Sequence, residues 1–108
     1  RGFDIWTPPG IDLRLDIDDL AALSAALDLV IGPSTANTNI AASVGTKVWI
    51  PAGPGWWTNF GTDHAPCYPT TRVFFGRGYE HWDEVMQQLA QALQVELQSG
   101  RLTAQDAA

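Results

Sequence analysis

The stretch DLVIGPSTANTNIAASVGTKVWI, residues 28–50, constrains the fold more than any other part of the chain. An unbroken apolar run, Leu29 to Ile31, is too short for a helix and is bounded by Gly32 and Pro33, so it reads as a strand covered on both faces. A small-residue segment follows, TANTNIAASVG, with Gly45 placed to end a helix of about ten residues. KVWIP then supplies a second strand. Strand, turn, helix, strand is the repeating unit of a parallel sheet with helices on its faces.

The rest of the chain extends that unit in both directions. DIDDLAALSAALDLVI places Leu20, Leu23, Ala26 and Leu27 at helical spacing, with Asp18 and Asp19 near the positive end of the helix dipole, predicting a helix from about Asp18 to Leu27. TRVFF, near Arg72 to Phe75, reads as a third strand, and DIW before the breaker TPPG as a fourth. HWDEVMQQLAQALQVELQ carries Trp82, Val85, Met86, Leu89, Leu93 and Leu97 at helical spacing, so these are expected in the core of a closing helix. Residues 99–108 lack a sustained apolar face and read as a disordered tail. The expected architecture is therefore a single α/β domain over residues 1–98, a three-layer Rossmann-like parallel sheet flanked by helices. With 108 residues the chain has room for one core, and its start at Arg1 reads as a piece of a longer protein.

Charge narrows the partners. Twelve acidic residues against six basic ones leave a net charge of −6, and no Lys/Arg stripe runs along any element, which makes nucleic acid and anionic membrane poor partners. No apolar run reaches spanning length, and no signal peptide is visible, so a cytoplasmic location is expected. Cys67 is the sole cysteine and has no internal disulfide partner. His64 lies three residues before it, but His81 is the only other histidine, which leaves too few ligands for a zinc site.

The turn between the first two core strands carries the chemistry. A strand ending in Gly-Pro delivers Ser34, Thr35, Ala36 and Asn37 to the start of a helix, where backbone N–H groups lack intrahelical partners and face outward. Small residues let an anion approach that backbone, and the hydroxyls of Ser34 and Thr35 add donors. The same residues also cap helices with no ligand present, so the turn alone leaves both readings open. Residues 51–69, PAGPGWWTNFGTDHAPCYP, form a long loop rich in Trp56, Trp57, Phe60 and Tyr68, suited either to stacking on a sugar or base or to roofing the sheet. Arg77, between two glycines before the last helix, carries a planar fork able to reach a phosphate. Arg72 opens an apolar strand and is expected to pair with an acid. No nucleophile elbow and no carboxylate pair is visible, so no catalytic residue is assigned.

The 28–50 stretch resembles the segment of heptosyltransferase-like glycosyltransferases in which a strand runs into Asp-Thr-Gly/Ala-x-x-His, a small-residue helix, Gly-x-x-Val and a further strand. APCYPTTRVFFGRGYEHWDEVMQQLAQAL is similar to the end of the same domain where it closes tetratricopeptide-repeat proteins. Together the two stretches cover roughly Asp18 to Leu97. The resemblance implies part of the C-terminal, donor-binding domain of a GT-B transferase, with Thr35 and Ala36 at the diphosphate of a nucleotide diphospho-sugar. No cofactor or metal is expected, and the resemblance implies a general base supplied by an N-terminal domain of the same protein, absent from these residues. The motif departs at two positions: Ser34 stands where the family has Asp, and Asn39 where it has His. Loss of that ionisable pair leaves a backbone anion site but removes a charge-orienting pair. The competing expectation is a degenerate, non-catalytic Rossmann-like interaction module.

Overall fold

A computed structural model describes residues 4–53, 67–78 and 80–100. Helix α1 (Ile17–Ala25) leads into strand β1 (Val30–Ile31), helix α2 (Ala36–Ser43), strand β2 (Val48–Ala52), strand β3 (Thr71–Phe75) and helix α3 (Trp82–Gln98). The three strands form one parallel sheet in the order β1-β2-β3, with Val30 opposite Val48 and Val48 opposite Thr71. The described protein is thus α/β, a small parallel sheet flanked by helices.

Alternation along the strands sorts the core into two clusters. Val48, Ile50 and Ala52 of β2 and Val73 of β3 meet Ala41 and Ala42 of α2. Trp49 and Phe74, displaced by one residue, point the other way and meet Val85 and Leu89 of α3. Alanines suit α2 because a helix lying on a sheet approaches closest where its side chains are small. Gly45 ends α2 with φ +86°, the left-handed conformation that only glycine adopts without strain. Beyond it, the buried Thr46 hydroxyl donates to the Ser24 carbonyl at 2.8 Å, and Thr70 donates to the Thr46 carbonyl at 2.8 Å. These bonds tie the end of α1 and the entry of β3 to the entry of β2.

Four expectations are corrected. DIW is not a strand: residues 4–8 hold no regular structure, and Ile5 and Trp6 are 90% and 70% exposed. Pro8 and Pro9 cut the segment short, and no described strand offers it a ladder. Helix α1 stops at Ala25 rather than Leu27, because the Leu27 N–H bonds the Ser24 carbonyl three residues back and the tightened turn releases the chain into β1. Ala26 and Leu27 are consequently exposed. Helix α2 is eight residues rather than ten. Trp82, Met86 and Leu97 are about half exposed, since the buried stripe of α3 runs through Val85 and Leu89 with Ala92 and Leu93 beside it, and these three side chains lie to one side of it. A three-stranded sheet is too narrow to cover them.

At Gly76, just past the end of β3, the backbone passes close to the start of α3. A methyl group added there would stand 2.9 Å from the His81 carbonyl oxygen and 2.9 Å from a Val85 methyl. Gly76→Ala is expected to cost about 1–3 kcal/mol of unfolding free energy, since the backbone must shift to relieve the overlap. Urea unfolding measures it, and a variant as stable as the parent would contradict the packing.

Candidate functional site

All three strands run in the same direction, so their carboxyl ends lie along one edge of the sheet. Ligands of open α/β sheets bind outside that edge. At the end of β1 stands the 32–37 turn; at the end of β2, Gly53, the last described residue before position 67; at the end of β3, the 76–78 turn with Arg77. Neighbouring strands lie about 4.8 Å apart, which puts the first and last of these turns roughly 10 Å apart.

The β1–α2 turn is held by a residue that motif reading passed over. Thr38 is buried, and its hydroxyl accepts the Thr35 N–H at 3.0 Å while lying 2.9 Å from the Pro33 carbonyl and 3.0 Å from that of Thr35, one of which takes its proton. The Thr38 methyl also crowds Gly32, where an added Cβ would stand 3.3 Å from it. Its signal was present in the sequence as the third residue after a threonine N-cap, the place where a side chain reaches back to the cap N–H. The Thr35 amide is therefore engaged internally. Ala36 and Asn37, in the first turn of α2, lie where a helix has no carbonyl to offer their N–H groups. Among the described residues no side chain bonds the Ser34 hydroxyl or the Asn37 amide. Asn39 turns its amide back to the Thr35 carbonyl at 2.9 Å, so its N–H serves the helix's own first turn.

Arg77 is placed at the right edge but is engaged. Its Nε donates to Glu84 at 2.9 Å, and Nη2 also bonds that carboxylate, a two-pronged pair across the start of α3. The hydrogen bonds from Arg77 hold the Glu84 carboxyl below its ordinary range, and the Arg77 guanidinium is held above its own, chiefly by the same bonds. With the folded value depressed, any stability from Glu84 is complete above its unfolded pKa and is lost as pH falls through the lowered value. Arg77→Gln is expected to raise the Glu84 titration back towards the ordinary carboxylate range, as read by carboxyl-carbon NMR. An unchanged titration would mean the pair does not form in solution. The pair is exposed, so its contribution to stability is small.

Among the described residues Arg72 pairs with no acid, contrary to expectation. Its guanidinium lies over the Phe74 ring, 4.4 Å from the centroid, with Trp49 at 6.0 Å. Tyr68 is half-buried against the α2 side of the core, roofing the sheet, and Cys67 is exposed. Trp56, Trp57, Phe60 and His64 lie outside the described residues. Among the described residues, no group of three or more His, Cys, Asp or Glu side chains is placed to hold a metal, and no helix is long and apolar enough to cross a membrane. The described surface grooves are elsewhere. One runs between Arg72 and the Gln88–Glu96 face of α3, and another lies at the opposite end of the strands, around Lys47, Pro69 and Thr70.

Over 92 residues, 85% of its length, the chain is 48% identical to Protein FlbA of Caulobacter vibrioides, and the chain spans only 15% of that protein. No protein-family model and no solved structure matches.

Proposed function

We propose that this unit forms part of the donor-binding side of a heptosyltransferase-like GT-B glycosyltransferase, holding the diphosphate of a nucleotide diphospho-sugar at the β1–α2 turn. The carrying observation is the meeting at one sheet edge of the Ala36 and Asn37 amide positions, the unengaged Ser34 hydroxyl and the positive end of α2. Phosphate charge developing on the leaving group would be stabilised by fixed backbone dipoles, with no metal required of this chain. Trp56 and Trp57, on the loop leaving β2, are the stacking partners proposed for the base or sugar. The acceptor and its general base belong to a further domain of the same polypeptide, so the 108 residues alone are not expected to turn over. A cytoplasmic location accords with that chemistry.

Two observations favour the competing reading, a non-catalytic interaction module. Asn39 is folded back onto its own helix, and Glu84 occupies the fork of Arg77. An amide NMR titration of the chain with ADP, UDP, GDP and CDP separates the two. Selective shifts at residues 34–37 and at Gly53 are expected, and their ranking names the base. Absence of shifts at millimolar nucleotide would reject the donor reading in favour of the module.

A further inference from the structure

Strand β1 has the sequence of an interior strand but the position of an edge strand. Leu29, Val30 and Ile31 form an unbroken apolar run, the pattern of strands flanked on both sides in parallel sheets. In the structure β2 pairs with one side only, and no described strand lies on the other. The ladder fixes which groups are left over. Val30 N–H donates to the Lys47 carbonyl at 2.9 Å and Gly32 N–H to the Trp49 carbonyl at 3.1 Å, so the alternation of a parallel strand turns the N–H and C=O of Ile31 to the open side. The Ile31 side chain is 40% exposed.

Edges meant to stay open are guarded, usually by charge. The opposite edge of the sheet has such a guard, because the exposed Arg72 guanidinium covers Phe74 on β3. The β1 run has none. The relative matched over 92 residues is much longer than the match, which covers 15% of it, so a unit of this kind does occur with further polypeptide around it.

We infer that the open edge of β1 is a docking site for one further β-strand of a longer polypeptide, adding parallel to β1 and pairing with the backbone of Ile31. That strand makes β1 an interior strand and extends the carboxyl edge on the side of the 32–37 turn. The inference stands on the strand pattern and does not require the donor reading, and amide protection tests it independently of nucleotide binding.

The test compares hydrogen exchange in two settings: the 108-residue chain alone, and the same residues replacing the matched segment of Caulobacter FlbA. In the isolated chain the Val30 and Gly32 amides are expected to exchange slowly and the Ile31 amide fast. Within the longer protein, Ile31 exchange is expected to slow by a factor on the order of 100, as for an amide that opens only with its sheet. Ile31→Lys is expected to leave the melting temperature of the isolated chain unchanged and to lower that of the longer protein. Fast Ile31 exchange in both settings overturns the inference. So does slow exchange in the isolated chain that depends on concentration and is abolished by Ile31→Lys, which assigns the edge to a second copy. Should the chimera fail to fold, native FlbA and its isolated matching segment give the same comparison at the aligned position.

Discussion

Trp49→Ala is expected to lower the unfolding free energy by about 3–5 kcal/mol, the largest effect of any single truncation among the described residues. Trp49 sits in the central strand, is 2% exposed, and packs edge-on to Phe74 with ring centroids 5.3 Å apart. Its neighbours Val85 and Leu89 are the only buried residues of α3 among the described residues. Removing the indole therefore leaves a cavity where the helix is anchored, in the cluster that Trp49 shares with Phe74, Val85 and Leu89. Small domains have total stabilities of about 5–15 kcal/mol, so the loss takes a large share. Far-UV circular dichroism in urea measures it without relying on the tryptophan being removed. A loss below about 1 kcal/mol, the scale of ordinary surface substitutions, would mean that α3 is not packed on the sheet in solution.

The elements whose signals are local were legible in the sequence. The apolar run before Gly32 does form a strand, though it is not covered on both faces as expected, since Ile31 is exposed; the glycine after α2 and the TRVFF strand stand where the sequence puts them, because a left-handed turn needs glycine and an apolar β-rich run needs burial. What failed depended on partners. Whether DIW forms a strand is decided by a neighbouring ladder, not by its own residues, and whether Trp82 and Met86 are buried is decided by the width of the sheet beneath α3. The candidate site divides in the same way. The Ser34 to Asn37 turn could be read from Gly-Pro and the small residues after it. The engagement of Arg77 by Glu84, seven residues on, could not, since it requires the 76–81 segment to fold the two together. Thr38 lay between: its spacing from Thr35 carried the signal, but its buried hydroxyl is visible only in three dimensions.

Asn37→Asp separates the helix from the ligand because the two effects have opposite signs. A carboxylate in the first turn of α2 interacts favourably with the helix dipole and is expected to raise stability by about 0.3–1 kcal/mol. The same charge, placed beside the amides proposed to hold a diphosphate, repels it. At about 4 Å and an effective dielectric constant near 20, two like charges oppose one another by roughly 4 kcal/mol, and solvent around the exposed Asn37 screens much of that. Even a third of it is about tenfold in affinity, so nucleoside diphosphate binding is expected to weaken at least tenfold while the melting temperature holds or rises. Asn37→Ala removes only a neutral side chain and should cost far less binding. Raising the salt to about 1 M shortens the screening length to about 3 Å and should bring Asn37→Asp and Asn37→Ala together. If the aspartate leaves binding unchanged at low salt, the phosphates are not at the start of α2, and any nucleotide shifts must be assigned to the 76–78 turn or the loop beyond Gly53.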